Sequence, residues 1–139
     1  DISEDNCSRD CIDFAKRWLG DIDDHYQLQC ETEGIEDVLE NSEELGALGM
    51  GVYVRDQMVG FTIGEKAKDD LAIIHVEKAD ADYKGAYAFI NRTFARQYLK
   101  DVKYINREED IGIPGLRRAK LAYDPIRLEK KFLVNLRGE

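Results

Sequence analysis

Apolar residues recur at helical spacing from the start of the chain, with Cys7, Cys11, Phe14, Ala15, Trp18 and Leu19 on one face. The pattern predicts a helix capped by Ser3 and ended by Gly20, then an acidic loop from Asp21 to Asp24. A second helix is expected from about Glu31 to Leu45, with Ile35, Val38, Leu39 and Leu45 inward and Gly46 and Gly49 beyond its end. The pattern then changes to that of strands. Gly51 to Val54 reads as one strand, Asp56-Gln57 as a turn, Met58 to Gly64 as a second strand, Lys66 to Asp70 as a polar turn and Leu71 to Lys78 as a third strand. A third helix from about Tyr83 to Leu99 carries Ala86, Phe89, Ile90, Thr93, Phe94, Gln97 and Tyr98 on or near one face. Val102 to Asn106 reads as a short strand. Pro114 suits the first turn of a fourth helix that runs to about Tyr123, where Asp124-Pro125 stops it. Phe132 to Leu136 is expected to form the last strand.

This order predicts an α/β (α+β) fold: helices on a mixed, mostly antiparallel sheet, with one strand-helix-strand crossover. The expected organisation is a single domain over 1–139, with leading helices in 1–49 and the sheet and crossover helices in 50–139. The chain has 139 residues, 43% hydrophobic and 35% charged, which fits one packed domain. No apolar run approaches the roughly 20 residues of a membrane span. The acidic N-terminus lacks a signal-peptide pattern, and three cysteines form no compact framework, so a soluble, cytoplasmic protein with free thiols is expected. The chain opens at Asp1 and not at a methionine, which reads as a cut: a processed chain or a piece of a longer one. His25 and His75 have no zinc-like spacing to the cysteines, so no metal is expected.

Charge is uneven. Residues 1–50 carry 15 acidic and 3 basic side chains, whereas residues 113–139 carry 3 acidic and 7 basic. The net charge of −9 disfavours broad, nonspecific nucleic-acid binding, while the basic end can form a local anion site.

Several stretches sharpen the fold. They are Gly60-Phe61-Thr62-Ile63-Gly64-Glu65, His75-Val76-Glu77-Lys78-Ala79-Asp80, Tyr83-Lys84-Gly85-Ala86-Tyr87 and Ile90-Asn91. Tyr104 to Asp110 and Gly115 to Pro125 are the most telling. In this order they resemble the bacterial family named for the C-terminal domain of phosphatidylglycerol lysyltransferase. The resemblance implies an acyl-CoA N-acyltransferase (GNAT)-like fold and covers essentially the whole chain. Full members carry two related halves, so this chain resembles the second, and its implied partner is the missing N-terminal half. The named lysyltransferases move an aminoacyl group from charged transfer RNA onto a lipid. The resemblance therefore implies an acyl- or aminoacyltransferase domain, with aminoacyl-tRNA as a possible donor. The alternative is a noncatalytic binding or regulatory half that acts only with the other half.

Ordinary members of this fold hold the pyrophosphate of acetyl-CoA on a glycine loop at the crossover helix. Here the segment is Asp82-Tyr83-Lys84-Gly85-Ala86-Tyr87. Lys84 and Gly85 fit a substrate-binding role, but Asp82 would repel phosphate and Tyr87 stands where a small residue is wanted, which disfavours acetyl-CoA. Strand alternation puts His75 and Glu77 on one face, as a proton shuttle and its orienting carboxylate, or else as a structural pair. Asn106 and Asp110 close the next strand and are expected to complete the catalytic set in the same cleft. Arg117 and Lys120 would bring positive charge to an anionic donor group, with Tyr123 beside them.

Overall fold

The first helix, α1 (Asp5–Leu19), buries Cys7, Cys11, Phe14 and Ala15, so the predicted apolar stripe is its packed face. The chain is described here from a computed structural model that covers residues 1–19, 25–110, 112–132 and 134, with side chains of 5, 19 and 25–29 excluded. The acidic loop Asp21 to Asp24 lies outside the described residues. Ser3 does not stand at the helix start: its backbone N–H bonds Asp1 Oδ1 at 2.9 Å, and the helix begins two residues later. Cys7 and Cys11, one helical turn apart, are free thiols. Hydrogen bonding between their side chains lowers the Cys7 thiol and raises that of Cys11.

Helix α2 (His25–Glu40) begins earlier than its apolar pattern does, and Asn41 then interrupts it. Asn41 donates from Nδ2 to the Asp37 carbonyl at 2.8 Å, so a separate single turn, α3 (Ser42–Leu45), follows and ends at Gly46 with φ of 64°. Ile35 and Leu39 are buried, but Leu45, expected inward, is exposed because that extra turn leaves the α2 face.

The strands are β1 (Leu48–Val54), β2 (Gln57–Lys68), β3 (Leu71–Ala79) and β4 (Tyr104–Asn106), in the sheet order β1-β2-β3-β4. The first three form an antiparallel meander, with Arg55-Asp56 as a two-residue turn at positive φ. The predicted polar turn at Lys66 to Asp70 shrinks to Asp69-Asp70, because β2 stays paired to Lys68. Helix α4 (Ala86–Gln97) crosses from β3 to β4, and those strands pair in parallel.

Each sheet face has its own core. Phe61 and Ile63 meet Phe14, Cys11, Ile35 and Leu39 on one side, while Ala72 and Ile74 meet Met50, Phe94 and Leu99 on the other. Two glycines let α4 approach. A Cβ on Gly60 would stand 2.7 Å from Ile90 Cδ1, and one on Gly64 would stand 2.4 Å from the Ile73 carbonyl and 3.3 Å from the Phe94 ring. These elements belong to a compact unit, Asp1–Glu108.

A second unit begins at Glu109 and contains α5 (Pro114–Leu121), with proline in the first turn as predicted. The expected last strand lies partly outside the described residues, at Leu133, Asn135 and Leu136. Phe132 and Val134 are described, and they are exposed and outside any strand. Among the described residues no helix is long and apolar enough to cross a membrane.

Candidate functional site

Strand β3 carries one residue too many for its partner. Ile63 pairs with Val76 and the next residue, Gly64, with Ile74, so His75 is the bulged residue. The extra residue resets the alternation. Ile74 lies on the α4 side, Val76 packs on the α1/α2 side, and Glu77 returns to the α4 side. His75 and Glu77 are therefore not the same-face neighbours that simple alternation predicts. Thr62, fully buried, donates its hydroxyl to the Val76 carbonyl at 2.9 Å, which satisfies backbone beside the bulge.

Each of the two residues has its own network. On the α4 side, Glu77 accepts from Asn91 Nδ2 at 3.2 Å and from Arg107 Nη2 at 2.7 Å. The Glu77 side chain is only 9% exposed, so this pair ties helix α4 to the segment after β4. On the α2 side, His75 lies between two carboxylates. Its Nδ1 is 2.7 Å from Glu108 Oε1 and its Nε2 is 3.3 Å from Glu65 Oε1.

Asn106 is in register with Ile73, on the face away from α4 and hence opposite Glu77. The expectation of one cleft lined by both Glu77 and Asn106 is not met, because the bulge moved Glu77 across the sheet. Asn106 instead accepts the Glu108 N–H at 2.8 Å, in a turn where Glu108 has φ of 54°. That turn delivers the Glu108 carboxylate to His75. The sequence pattern gave Glu65 and Arg107 no place in the site and left Glu108 an uncertain member of it, as one of the carboxylates after β4 that could act as a base or hold an amine. All three stand inside or at the edge of the stretches that carried the family resemblance, but their pairing depends on the bulge.

The other expected residues fall elsewhere. Lys84 and Gly85 precede α4, where Gly85 has φ of 84° and opens onto free space. In the second unit, Asp110 accepts from Arg117 Nε at 2.5 Å and from the Gly112 N–H at 2.9 Å. The Arg117 guanidinium, with that N–H, holds the Asp110 carboxyl below its usual range. Lys120 Nζ donates to the Glu109 carbonyl at 2.6 Å, and Tyr123 follows α5 with its side chain half exposed.

A slot of about 310 Å³ opens between α2 and the sheet beside His75. Gly34, Ile35, Val38, Ile63 and Val76 form its walls, with Glu31 and His75 among its lining residues. Glu31 is held by Lys78 at 2.9 Å, whose ammonium sits 4.0 Å from the centre of the Trp18 ring. The slot joins apolar walls to a few polar groups, the usual make-up of a ligand site. Among the described residues no group of three side chains is arranged to hold a metal ion.

Mid-helix Gly34 has no packing reason to be glycine, since a Cβ there would meet nothing within 4 Å. Gly34→Ala should therefore raise stability by about 1 kcal/mol through helix propensity. A thermal melt tests this, and a lowered Tm would show that the position is constrained. Gly34→Leu, in contrast, should fill the slot.

The meander, the crossover helix and the short parallel strand define the GNAT-type fold. A ribosomal-protein-alanine N-acetyltransferase of Brucella melitensis biovar Abortus superposes with a TM-score of 0.57 at 13% identity, over 76% of this chain and 80% of that one. A GNAT-family member from Xanthomonas campestris pv. campestris gives a TM-score of 0.52 at 13% identity, over 88% of this chain and 85% of that one. At such identity the likeness is one of fold. The chain belongs to the family described as phosphatidylglycerol lysyltransferase, C-terminal, which matches residues 2–135. A conserved protein of unknown function from Bacteroides thetaiotaomicron shares 38% identity with a TM-score of 0.81, over 87% of this chain and 42% of that one. An uncharacterized protein of Mycoplasmoides gallisepticum is 26% identical over 127 residues, 88% of this chain and 40% of that protein. The chain thus spans well under half the length of these relatives.

Proposed function

We propose that this chain is the acyl- or aminoacyltransferase half of a longer protein, with His75 as the proton acceptor at the α2 slot. The observation that carries the reading is the bulge, which sets the His75 imidazole against Glu108 at 2.7 Å and beside an apolar slot. Glu108 at Nδ1 orients the imidazole, and Nε2 accepts a proton once the entering nucleophile replaces its 3.3 Å contact with Glu65 Oε1. An amine or hydroxyl entering beside Glu65 attacks the ester carbonyl of the donor. The new bond to carbon forms, the ester C–O bond breaks, and the nucleophile's proton passes to Nε2 and then to the departing oxygen. Family membership favours an aminoacyl ester of transfer RNA as donor. The test is a single-turnover assay of the intact protein with radiolabelled aminoacyl-tRNA. Label should leave the RNA and appear on the acceptor, and no loss beyond spontaneous hydrolysis with any donor would defeat the reading.

Acetyl-CoA is disfavoured as donor. Two amides of the loop that would hold its pyrophosphate are already used: Asp82 N–H bonds Asp80 Oδ1 at 2.9 Å, and Ala86 N–H bonds the Tyr83 carbonyl at 3.0 Å. Calorimetry should give a dissociation constant weaker than about 100 μM, and micromolar affinity, on the order of −8 kcal/mol, would contradict this.

A second reading is a noncatalytic half that binds or regulates only with the remainder of the protein. It is favoured by the chain's span of 40–42% of its relatives. Activity of the intact protein that survives loss of His75 would select it.

A further inference from the structure

In a protein of net charge −9, helix α4 contains two arginines and no acidic residue. Phe89, Arg92 and Arg96 are exposed at spacings of three and four, so they share the solvent face of α4, while Ile90 and Phe94 are buried on the other. Lys84 before the helix and Lys100 after it are exposed as well. Phe89 is 56% exposed, a large apolar group with no core role. Among the described residues no ion pair involves Lys84, Arg92, Arg96 or Lys100, as is also true of Arg9, Arg55, Lys68 and Lys103; what sets α4 apart is that Arg92 and Arg96 share one face with the exposed Phe89 ring. In a chain with 29 acidic against 20 basic side chains, Arg92 and Arg96, on a helix without carboxylates, are available to an outside anion, while Lys100 also acts on the Asp101 carboxylate.

We infer that the outer face of α4 is a docking surface for RNA, with Arg92, Arg96 and the flanking lysines on backbone phosphates and Phe89 stacked on a base. Arginine matches phosphate geometry, and an aromatic ring among cations is the arrangement that holds unpaired bases. A lipid surface fits less well. Interfacial helices need a broad apolar face, whereas that of α4 is buried in the core and its outer face offers one ring. The inference rests on the proposed use of an RNA-borne donor, whose body would contact α4 while its charged end reaches the slot on the other face of the sheet. The overall acidity of the chain confines such binding to this local stripe.

The test reads RNA binding alone, so its failure is separable from failure of group transfer. Fluorescence anisotropy with labelled, uncharged transfer RNA is followed against salt for the intact protein. Binding should weaken as salt rises, with a log–log slope of about −3 for some four phosphates. Arg92→Glu/Arg96→Glu should weaken binding more than tenfold and flatten the slope by about two. Phe89→Ala should weaken it about fivefold or more with the slope unchanged, by loss of stacking. All three side chains are exposed, so unchanged circular-dichroism melts should accompany these losses. Arg9→Glu/Arg55→Glu makes the same change in net charge elsewhere. An equal loss in that control overturns the proposal, as does undiminished binding in either α4 variant. Failure of the unaltered protein to bind RNA, including capture only by vesicles of anionic phospholipid, overturns it too.

Discussion

Replacing His75 with glutamine is expected to lower turnover of the intact protein by about 10²-fold or more, the contribution typical of a positioned general base. Glutamine keeps polarity and approximate length but cannot take a proton at neutral pH. The His75 side chain is 39% exposed and fills no core volume, so the fold should tolerate the change. Glu108→Gln should give a smaller loss, since a neutral amide can still face Nδ1 but supports an imidazolium poorly. The ratio of the two effects separates chemistry from structure. A structural His75 would change Tm and leave turnover nearly intact, whereas a proton acceptor would do the reverse. Unchanged turnover in His75→Gln with a normal melt would remove the imidazole from the reaction.

Phe61→Ala should have the largest effect on stability, a loss of about 3–5 kcal/mol. Phe61 is fully buried on β2, and its ring meets that of Phe14 edge-on, with centroids 5.9 Å apart at 86°. It packs in the cluster that joins α1 and α2 to the sheet, with Ile35, Ile63 and Cys11. Truncation removes the buried area and the ring contact and leaves a cavity that helices held elsewhere cannot close. Urea denaturation with the midpoint read by circular dichroism measures the loss. A change below about 1 kcal/mol would mean that the two helices are not docked through this ring. Phe61→Leu should recover much of the difference, because it restores most of the volume.

The order of residues by itself determined a good deal. The apolar stripe of α1, the three-strand meander, the crossover helix and proline in the first turn of α5 are local or periodic features, and side-chain spacing encodes them directly. The family was legible too, because its motifs are contiguous stretches. The break at Asn41 was harder to see, since the apolar spacing of Ile35, Val38 and Leu39 continues plausibly to Leu45. It depends on one side chain bonding the backbone of the preceding turn. The site was only half legible. His75 and Glu77 stood out as polar residues in an apolar strand, but strict alternation placed them together. Only pairing with β2 reveals the bulge at His75, because a bulge is a mismatch between two strands and leaves no necessary mark on either. That one-residue mismatch sends Glu77 to Arg107 and Asn91 and leaves His75 to Glu65 and Glu108, partners between 10 and 33 positions away. Composition and period determined which residues are buried and which are polar; tertiary pairing decided which polar groups meet, because side-chain direction along a strand is relative to a partner.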